Sequence, residues 1–119
     1  IGDDVAAVLP TVKQQIALYV GGMGARGKNF YNTLVTGYGY GEVAATVQEL
    51  FLAGRKEEAV AAVPDELALA MNLVGTPAQV AERVAAFDAA GVGVLAAAPL
   101  GRTAEERLAL MRGLRAIVG

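Results

Sequence analysis

Residues 92–98 read Val-Gly-Val-Leu-Ala-Ala-Ala and are followed by Pro99. The run contains no polar side chain, so it lacks the alternation of apolar and polar residues that marks a half-exposed strand. A continuous apolar strand is typical of a parallel sheet covered by helices on both faces. The run therefore predicts one clear parallel β-strand over 92–98.

Helix-start signals lie on both sides of this run. Thr76-Pro77-Ala78-Gln79 combines an N-cap residue, a proline at the first helical position and a capping-box glutamine. Thr103-Ala104-Glu105-Glu106 is a second capping box. Gly91 is the expected left-handed terminator of the first of these helices. Residues 76–119 thus read helix, parallel strand, helix, which is the repeating unit of an α/β fold.

The part of the chain before residue 72 has a mostly helical pattern. Apolar residues recur at helical spacing at Val5, Val8, Val12, Ile16 and Tyr19. Pro10 is expected to start, bend or split that helix. Further helices are predicted around 43–51, over 55–63 and from Pro64 onward.

Two very short additional strands are candidates, at Leu73-Val74 and at 16–20, although the second stretch fits a helix better. We expect a chain that is mostly α-helical, with the strand at 92–98 and one or two short ones. Its organisation is predicted as one segment, 1–119, with a helical part over 1–71 and helix-strand-helix units over 72–119.

Composition excludes several classes of chemistry. Without Cys the chain has no disulfide, thiolate metal site or thiol nucleophile. Without His it lacks the usual base of a catalytic triad and the commonest transition-metal ligand. The 10 Lys and Arg residues against 12 Asp and Glu residues give a net charge of −2, which argues against general nucleic-acid binding.

Hydrophobic residues make up 55% of the chain, which raises the question of a membrane span. The longest stretch without a charge, 67–81, is shorter than the 18 or so residues that a spanning helix needs. The start Ile-Gly-Asp-Asp resembles neither a signal peptide nor a natural N-terminus. We therefore expect a cytoplasmic protein and a chain that is part of a longer one.

A glycine-rich segment, Gly-Gly-Met-Gly-Ala-Arg-Gly-Lys-Asn at 21–29, is the most distinctive motif. From Gly22 to Lys28 it matches the phosphate-binding loop G-x-x-x-x-G-K, but Asn29 stands where a Ser or Thr should bind magnesium. A second interpretation is a close junction of two helices. A third is an anion or cofactor contact, with charge from Arg26 and Lys28 and backbone N–H groups from Asn29 onward.

A second glycine motif, Gly-Tyr-Gly-Tyr-Gly at 37–41, resembles a dinucleotide-binding fingerprint only in part. Glu42 stands at the position of the third glycine, and no strand is predicted before the motif. A turn between helices, with aromatic packing, is the expected role.

Residues 16–31 (IALYVGGMGARGKNFY) resemble a segment typical of luciferase-like monooxygenases, in particular of their deazaflavin (coenzyme F420) branch. Similar segments follow in the same order, at 39–41, 52–59, 63–66, 73–77 and 89–92. The resemblance implies a (β/α)8 TIM barrel that holds F420 or FMN for hydride transfer. It also implies that this chain is a fragment, the C-terminal third of such an enzyme, since a barrel takes about 250 residues.

The resemblance and the glycine-rich motif together nominate seven cofactor-binding residues: Gly24, Arg26, Lys28, Asn29, Pro99, Gly101 and Arg102. The last three follow the predicted last strand, where active sites of barrel enzymes lie. Tyr31 and Tyr38 are candidates for the mouth of the site. No catalytic acid or base and no metal site is predicted.

These observations leave two hypotheses and a weaker third. The first is the C-terminal portion of an F420- or flavin-dependent oxidoreductase that is not catalytic alone. The second is a non-catalytic helical binding or assembly module derived from this family, and the third is a nucleotide binder with a phosphate loop. The expected partners are the rest of the barrel or a second copy, as a homo-oligomer, and a small-molecule substrate, but no nucleic acid and no membrane.

Overall fold

Seven α-helices and one π-helical turn make up the regular structure of the computed structural model, which describes all 119 residues. In chain order they are α1 (Val5–Gly22), α2 (Phe30–Val35), the π-helical turn (Thr36–Tyr40), α3 (Gly41–Leu52), α4 (Lys56–Ala61), α5 (Asp65–Met71), α6 (Pro77–Ala89) and α7 (Ala104–Val118). The structure contains no β-strand. The helices predicted before residue 72 are confirmed, and Pro10 lies inside α1 without splitting it.

The predicted parallel strand over 92–98 is wrong. Every residue of this run is exposed and irregular, and no backbone hydrogen bond involves residues 93–100. The other two candidates are not strands either, because 16–20 lies within α1 and 73–74 is irregular. A strand bonds only to another strand, whereas a helix satisfies its own backbone, so an apolar run without a neighbour stays irregular. The structure therefore contains no strand of a β/α barrel.

Residues 6–72 form one compact unit with its own core. On α1 the buried residues Val12, Ile16 and Val20 are spaced by one helical turn and define a single apolar face. The core of this unit is completed by Ala17, Val35, Ala44, Val47, Ala59, Val63, Leu67 and Ala68. Helix α3 packs against both α2 and α4 and is thus the central element of the unit.

Residues 1–5 and 73–119 form the second unit, in which α6 packs against α7. Both helices begin with the predicted capping box: Thr76 with Gln79, and Thr103 with Glu106. Gly91 has the expected left-handed backbone, with a φ of 85°. Val80 is the only buried apolar side chain of this unit, and α7 buries no residue at all.

None of the helices has the combination of length and apolarity that a membrane span requires.

Candidate functional site

The turn between α1 and α2, residues 23–29, is closed by contacts that small residues allow. The backbone N–H of Lys28 donates to the carbonyl of Ala25 over 2.9 Å. A β-carbon at Gly24 would lie 2.7 Å from the carbonyl oxygen of Lys28, closer than real contacts permit. Gly27 has a φ of 75°, in the region that glycine adopts without cost. The glycines of this turn therefore give it a tight, defined shape.

The glycine pair that ends α1 has a packing role. A β-carbon at Gly21 would lie 2.6 Å from the β-carbon of Phe51, and one at Gly22 would lie 2.5 Å from the ring of Phe51. These glycines let α1 approach α3 closely, which supports the helix-junction interpretation. The element before the loop is a helix rather than the strand that a phosphate-binding loop requires, so the nucleotide-loop interpretation loses its structural context.

Asn29 is buried between two helix ends, with 2% of its surface exposed. Its Oδ1 accepts a hydrogen bond from the N–H of Asn32 and thereby caps α2. Its Nδ2 donates to the carbonyls of Tyr19 and Val20, each over 3.0 Å, in the last turn of α1. Asn29 therefore joins the end of one helix to the start of the next, and its role toward a cofactor stays a prediction.

Asn32 belongs to the same joint and was not singled out by sequence reasoning. Its Nδ2 donates to the carbonyl of Val20 over 3.3 Å and to that of Ala44 over 2.8 Å. Through these bonds it ties α2 to both α1 and α3. The available signal was the preference of Asn for helix starts, which identifies Asn29 as a cap but says nothing of tertiary bonds from Asn32.

Arg26 and Lys28 are the charged residues of the 23–29 turn, and both are exposed. Neither side chain takes part in an ion pair. Residues 5–41 contain no Asp or Glu, so no acid close in sequence offsets these two charges. Lys13, the other cation of that stretch, pairs with Asp65. The turn thus carries local positive charge in a chain of net charge −2.

Aromatic rings stand directly after the cationic turn. Phe30 is 70% exposed and Tyr31 is 38% exposed. The Tyr31 ring makes edge-to-face contacts with Tyr19, at 4.8 Å between centroids, and with Phe30, at 5.5 Å. Such contacts fix the orientation of the rings while leaving part of their surface in solvent. Met23, at the other end of the turn, is also exposed.

The loop before α7 holds the other three predicted residues, and its backbone is engaged by α7. The N–H groups of Arg102 and Thr103 both donate to the Glu106 carboxylate, over 2.6 and 3.3 Å. The Arg107 guanidinium donates to the carbonyl of Gly101 over 3.0 Å. A β-carbon at Gly101 would lie 2.6 Å from the backbone nitrogen of Arg107, so this approach requires glycine. Pro99 is half-buried and Arg102 is exposed.

The structure divides the seven predicted residues between its two units. Gly24, Arg26, Lys28 and Asn29 share the turn after α1, whereas Pro99, Gly101 and Arg102 share the loop before α7. Each group is brought together locally. The role of either group in binding stays a prediction.

The second glycine motif forms the π-helical turn between α2 and α3, as the turn interpretation predicts. Gly39 has a φ of 93°, a conformation that glycine adopts freely. Tyr38 is 58% exposed on this turn. Partial burial raises the pKa of Tyr40, and the negative charge of Glu66 and a hydrogen bond to that residue raise it further. Tyr40, the last residue of this turn, therefore interacts with Glu66 of α5.

Elsewhere on the surface, one ion pair shifts the titration of its members. The Arg55 guanidinium donates to Glu58, with 2.7 Å between Nε and Oε1, and this hydrogen bond lowers the pKa of the Glu58 carboxyl. Both residues lie at the start of α4 and are exposed. No three acidic side chains are grouped as a metal site would require.

Comparison with known proteins gives two matches. Residues 1–93 match the family described as luciferase-like monooxygenase. The chain is also 41% identical over 95 residues to a protein of Mycobacterium tuberculosis named as a coenzyme F420-dependent oxidoreductase. That alignment covers 80% of this chain but 27% of the relative, so the chain spans only a minor part of the relative's length. No solved structure matches the chain.

The family match takes in α1 to α6 and thus includes the turn with Arg26 and Lys28. It confirms the resemblance that the segment 16–31 and the motifs after it indicate. Its extent, most of the chain, leaves no doubt about membership. This chain belongs to the luciferase-like monooxygenase family.

Proposed function

We propose that this chain is the C-terminal portion of an F420- or flavin-dependent oxidoreductase and is not catalytic alone. The observation that carries the proposal is the 41% identity, over 80% of the chain, to a relative named as an F420-dependent oxidoreductase. When bound, the deazaflavin or flavin accepts or donates the hydride, and the polypeptide holds and orients it. The alignment covers 27% of the relative's length, which favours a partial role for this chain rather than the whole activity.

The residues present fit one part of such a cofactor. F420 and FMN both carry a phosphate group in addition to a flat heteroaromatic ring. Arg26 and Lys28 are exposed cations outside any ion pair, and cationic side chains are the usual partners of phosphate. This chain would therefore bind and orient the cofactor. The remainder of the parent protein, or a second copy of the chain, would complete the site, with a small molecule as the substrate.

The proposal is tested by expressing the parent gene at full length beside the 119-residue chain. Each protein is mixed with F420 or FMN, and the bound fraction is measured by ultrafiltration and cofactor absorbance. Hydride transfer is then followed as the loss of the oxidised cofactor's absorbance across a panel of reduced donors. We expect the full-length protein to bind at least one cofactor and the 119-residue chain to show no turnover. Turnover by the short chain, or no binding by the full-length protein, would contradict the proposal.

A second candidate function is a non-catalytic helical binding or assembly module. The observation in its favour is that all regular structure of this chain is helical and that the core of residues 6–72 is built from its own residues. It predicts a gene that encodes little beyond these 119 residues, and a partner that is a protein rather than a cofactor. A longer reading frame whose product binds F420 or FMN would exclude it.

A further inference from the structure

Two loops hold the predicted site residues, and they differ in whether nearby acids offset their cations. This difference favours one of the two loops as the place where the cofactor binds. The argument rests on the proposed function, because it concerns which part of the chain holds the phosphate-bearing cofactor. The loops compared are the 23–29 turn and the loop over 99–103.

The 23–29 turn offers two cations that form no ion pair and have no acid close to them in sequence. Arg26 and Lys28 are exposed and outside any ion pair, and residues 5–41 contain no acid. The shape of the turn is fixed independently of any ligand by Gly24 and by the buried Asn29. Because the backbone of the turn is already ordered, binding an anion restricts only the side chains of the two cations, which favours binding.

The loop over 99–103 has already used its anion-binding groups. The N–H groups of Arg102 and Thr103 donate to the Glu106 carboxylate. Glu105 and Glu106 both lie in the first turn of α7, so an incoming phosphate would meet two negative charges. The two cations at this loop, Arg102 and the Arg107 guanidinium that donates to Gly101, are therefore offset by two acids, Glu105 and Glu106.

The aromatic rings next to the 23–29 turn offer exposed surface that the flat ring of a cofactor can contact. Phe30 follows Lys28 by two residues, so their α-carbons lie within about 7.6 Å of each other. Phe30 is 70% exposed, and Tyr31, which orients it through an edge-to-face contact, is 38% exposed. Exposed aromatics beside unpaired cations match a ligand that joins a flat ring to a phosphate.

We infer that Arg26 and Lys28 bind the phosphate of the cofactor, that Phe30 and Tyr31 contact its ring, and that the 99–103 loop binds no phosphate. These four residues form one surface, the cation–ring surface, which binds the cofactor in the full-length protein.

The test uses the full-length protein and three probes that separate ring from phosphate: FMN, riboflavin and inorganic phosphate. Binding is measured by flavin fluorescence for the first two and by calorimetry for the third, with F420 as a competitor of FMN. The variants are Arg26→Ala/Lys28→Ala for the cations and Phe30→Ala for the ring. Arg112→Ala/Arg115→Ala is the matched double control on exposed cations of α7, and Arg102→Ala tests the competing loop. Circular dichroism checks that each variant keeps its helix content.

We expect Arg26→Ala/Lys28→Ala to weaken FMN and phosphate by about tenfold or more and riboflavin by much less. Phe30→Ala should weaken FMN and riboflavin by roughly two- to tenfold and leave phosphate unchanged. Arg102→Ala and the α7 double control should bind all three probes as the unchanged protein does.

FMN binding that is insensitive to Arg26→Ala/Lys28→Ala, or that falls in Arg102→Ala instead, would overturn the inference while leaving the proposed function intact. A full-length protein that binds neither FMN nor F420 would overturn the proposed function together with the inference.

Discussion

The buried apolar side chains of this chain all lie between residues 6 and 72, with one exception. That exception is Val80, the only buried apolar side chain between residues 73 and 119. The first region also ties its helices together through Asn29 and Asn32, whose side chains bond to the backbone of other helices. The second region relies on capping boxes at the starts of α6 and α7, which act within one helix. Buried tertiary contacts thus stabilise the first region, whereas the second has local capping and a helix pair that buries one apolar side chain.

This contrast explains why helices form in both regions but the strand does not form. Capping and helical spacing need only neighbouring residues, so α7 forms although it buries no side chain. A strand depends entirely on a second strand, which the chain does not supply.

The most direct comparison replaces one leucine in each region. Leu67→Ala removes a side chain that is 2% exposed, and we expect it to lower the free energy of unfolding by about 2–5 kcal/mol. Leu108→Ala, on a side chain that is 50% exposed, should change it by less than about 0.5 kcal/mol. Urea denaturation followed by far-UV circular dichroism measures both. Equal losses would show that the two regions do not differ in burial.

Asn29→Ala removes the joint between α1 and α2. It abolishes one cap and removes the Asn29 donor from the carbonyls of Tyr19 and Val20, of which Val20 keeps the bond from Asn32, so we expect a loss of about 2–4 kcal/mol. The control is Thr103→Ala, which removes a cap from an exposed helix start and should cost about 1 kcal/mol. The same denaturation experiment ranks the two variants. A smaller effect for Asn29→Ala than for Thr103→Ala would count against the tertiary role of Asn29.

Adding a methyl group at a helical glycine should change the free energy of unfolding in opposite directions in the two regions. Gly21→Ala forces a β-carbon against Phe51 and should cost about 1–3 kcal/mol. Gly113→Ala, in α7, places a β-carbon no closer than 3.8 Å to Ile1 and should stabilise the helix by about 0.5–1 kcal/mol. Thermal unfolding midpoints that move in the same direction for both variants would refute this prediction.

The smallest expected effect is a dependence on alkaline pH. Burial and Glu66 raise the pKa of Tyr40, so the protein is stabilised while this phenol is protonated in both states. That contribution is complete below the ordinary tyrosine pKa of about 10 and is lost as pH rises through the higher folded value. Phenolate absorbance near 295 nm should show a late-titrating tyrosine that disappears in Tyr40→Phe but persists in Tyr38→Phe. Identical titrations of the two variants would show that the pKa of Tyr40 is not raised.

Features that depend on adjacent residues were predictable from the sequence. The starts of α6 and α7 follow directly from Thr76 and Thr103, and the left-handed backbone of Gly91 follows from its place after α6. The family also followed from the order of short motifs. These signals lie within a few residues of the structure that they specify.

Features that depend on distant residues were not predictable. The contact between Gly21 and Phe51 joins α1 to α3, and the Asn32 side chain reaches Ala44, so neither has a local signature. The strand prediction failed for the same reason, since residues 92–98 satisfy the composition of a buried strand but lack a neighbour. For the candidate site, the exposure of Arg26 and Lys28 agrees with the ligand role predicted from the sequence. The burial of Asn29 was not predictable, because it depends on hydrogen bonds to the backbone of α1.

The irregular run over 92–98 has a kinetic consequence. From residue 93 onward its residues are exposed and make no backbone hydrogen bond, so a protease can bind this segment in the extended form that cleavage requires without first opening any helix. The cleavage rate there is set by the amount of protease and not by the free energy of unfolding, in contrast to sites within α1 or α3. A covering partner would lengthen the lifetime of the chain in a cell extract without changing the stability of its helices.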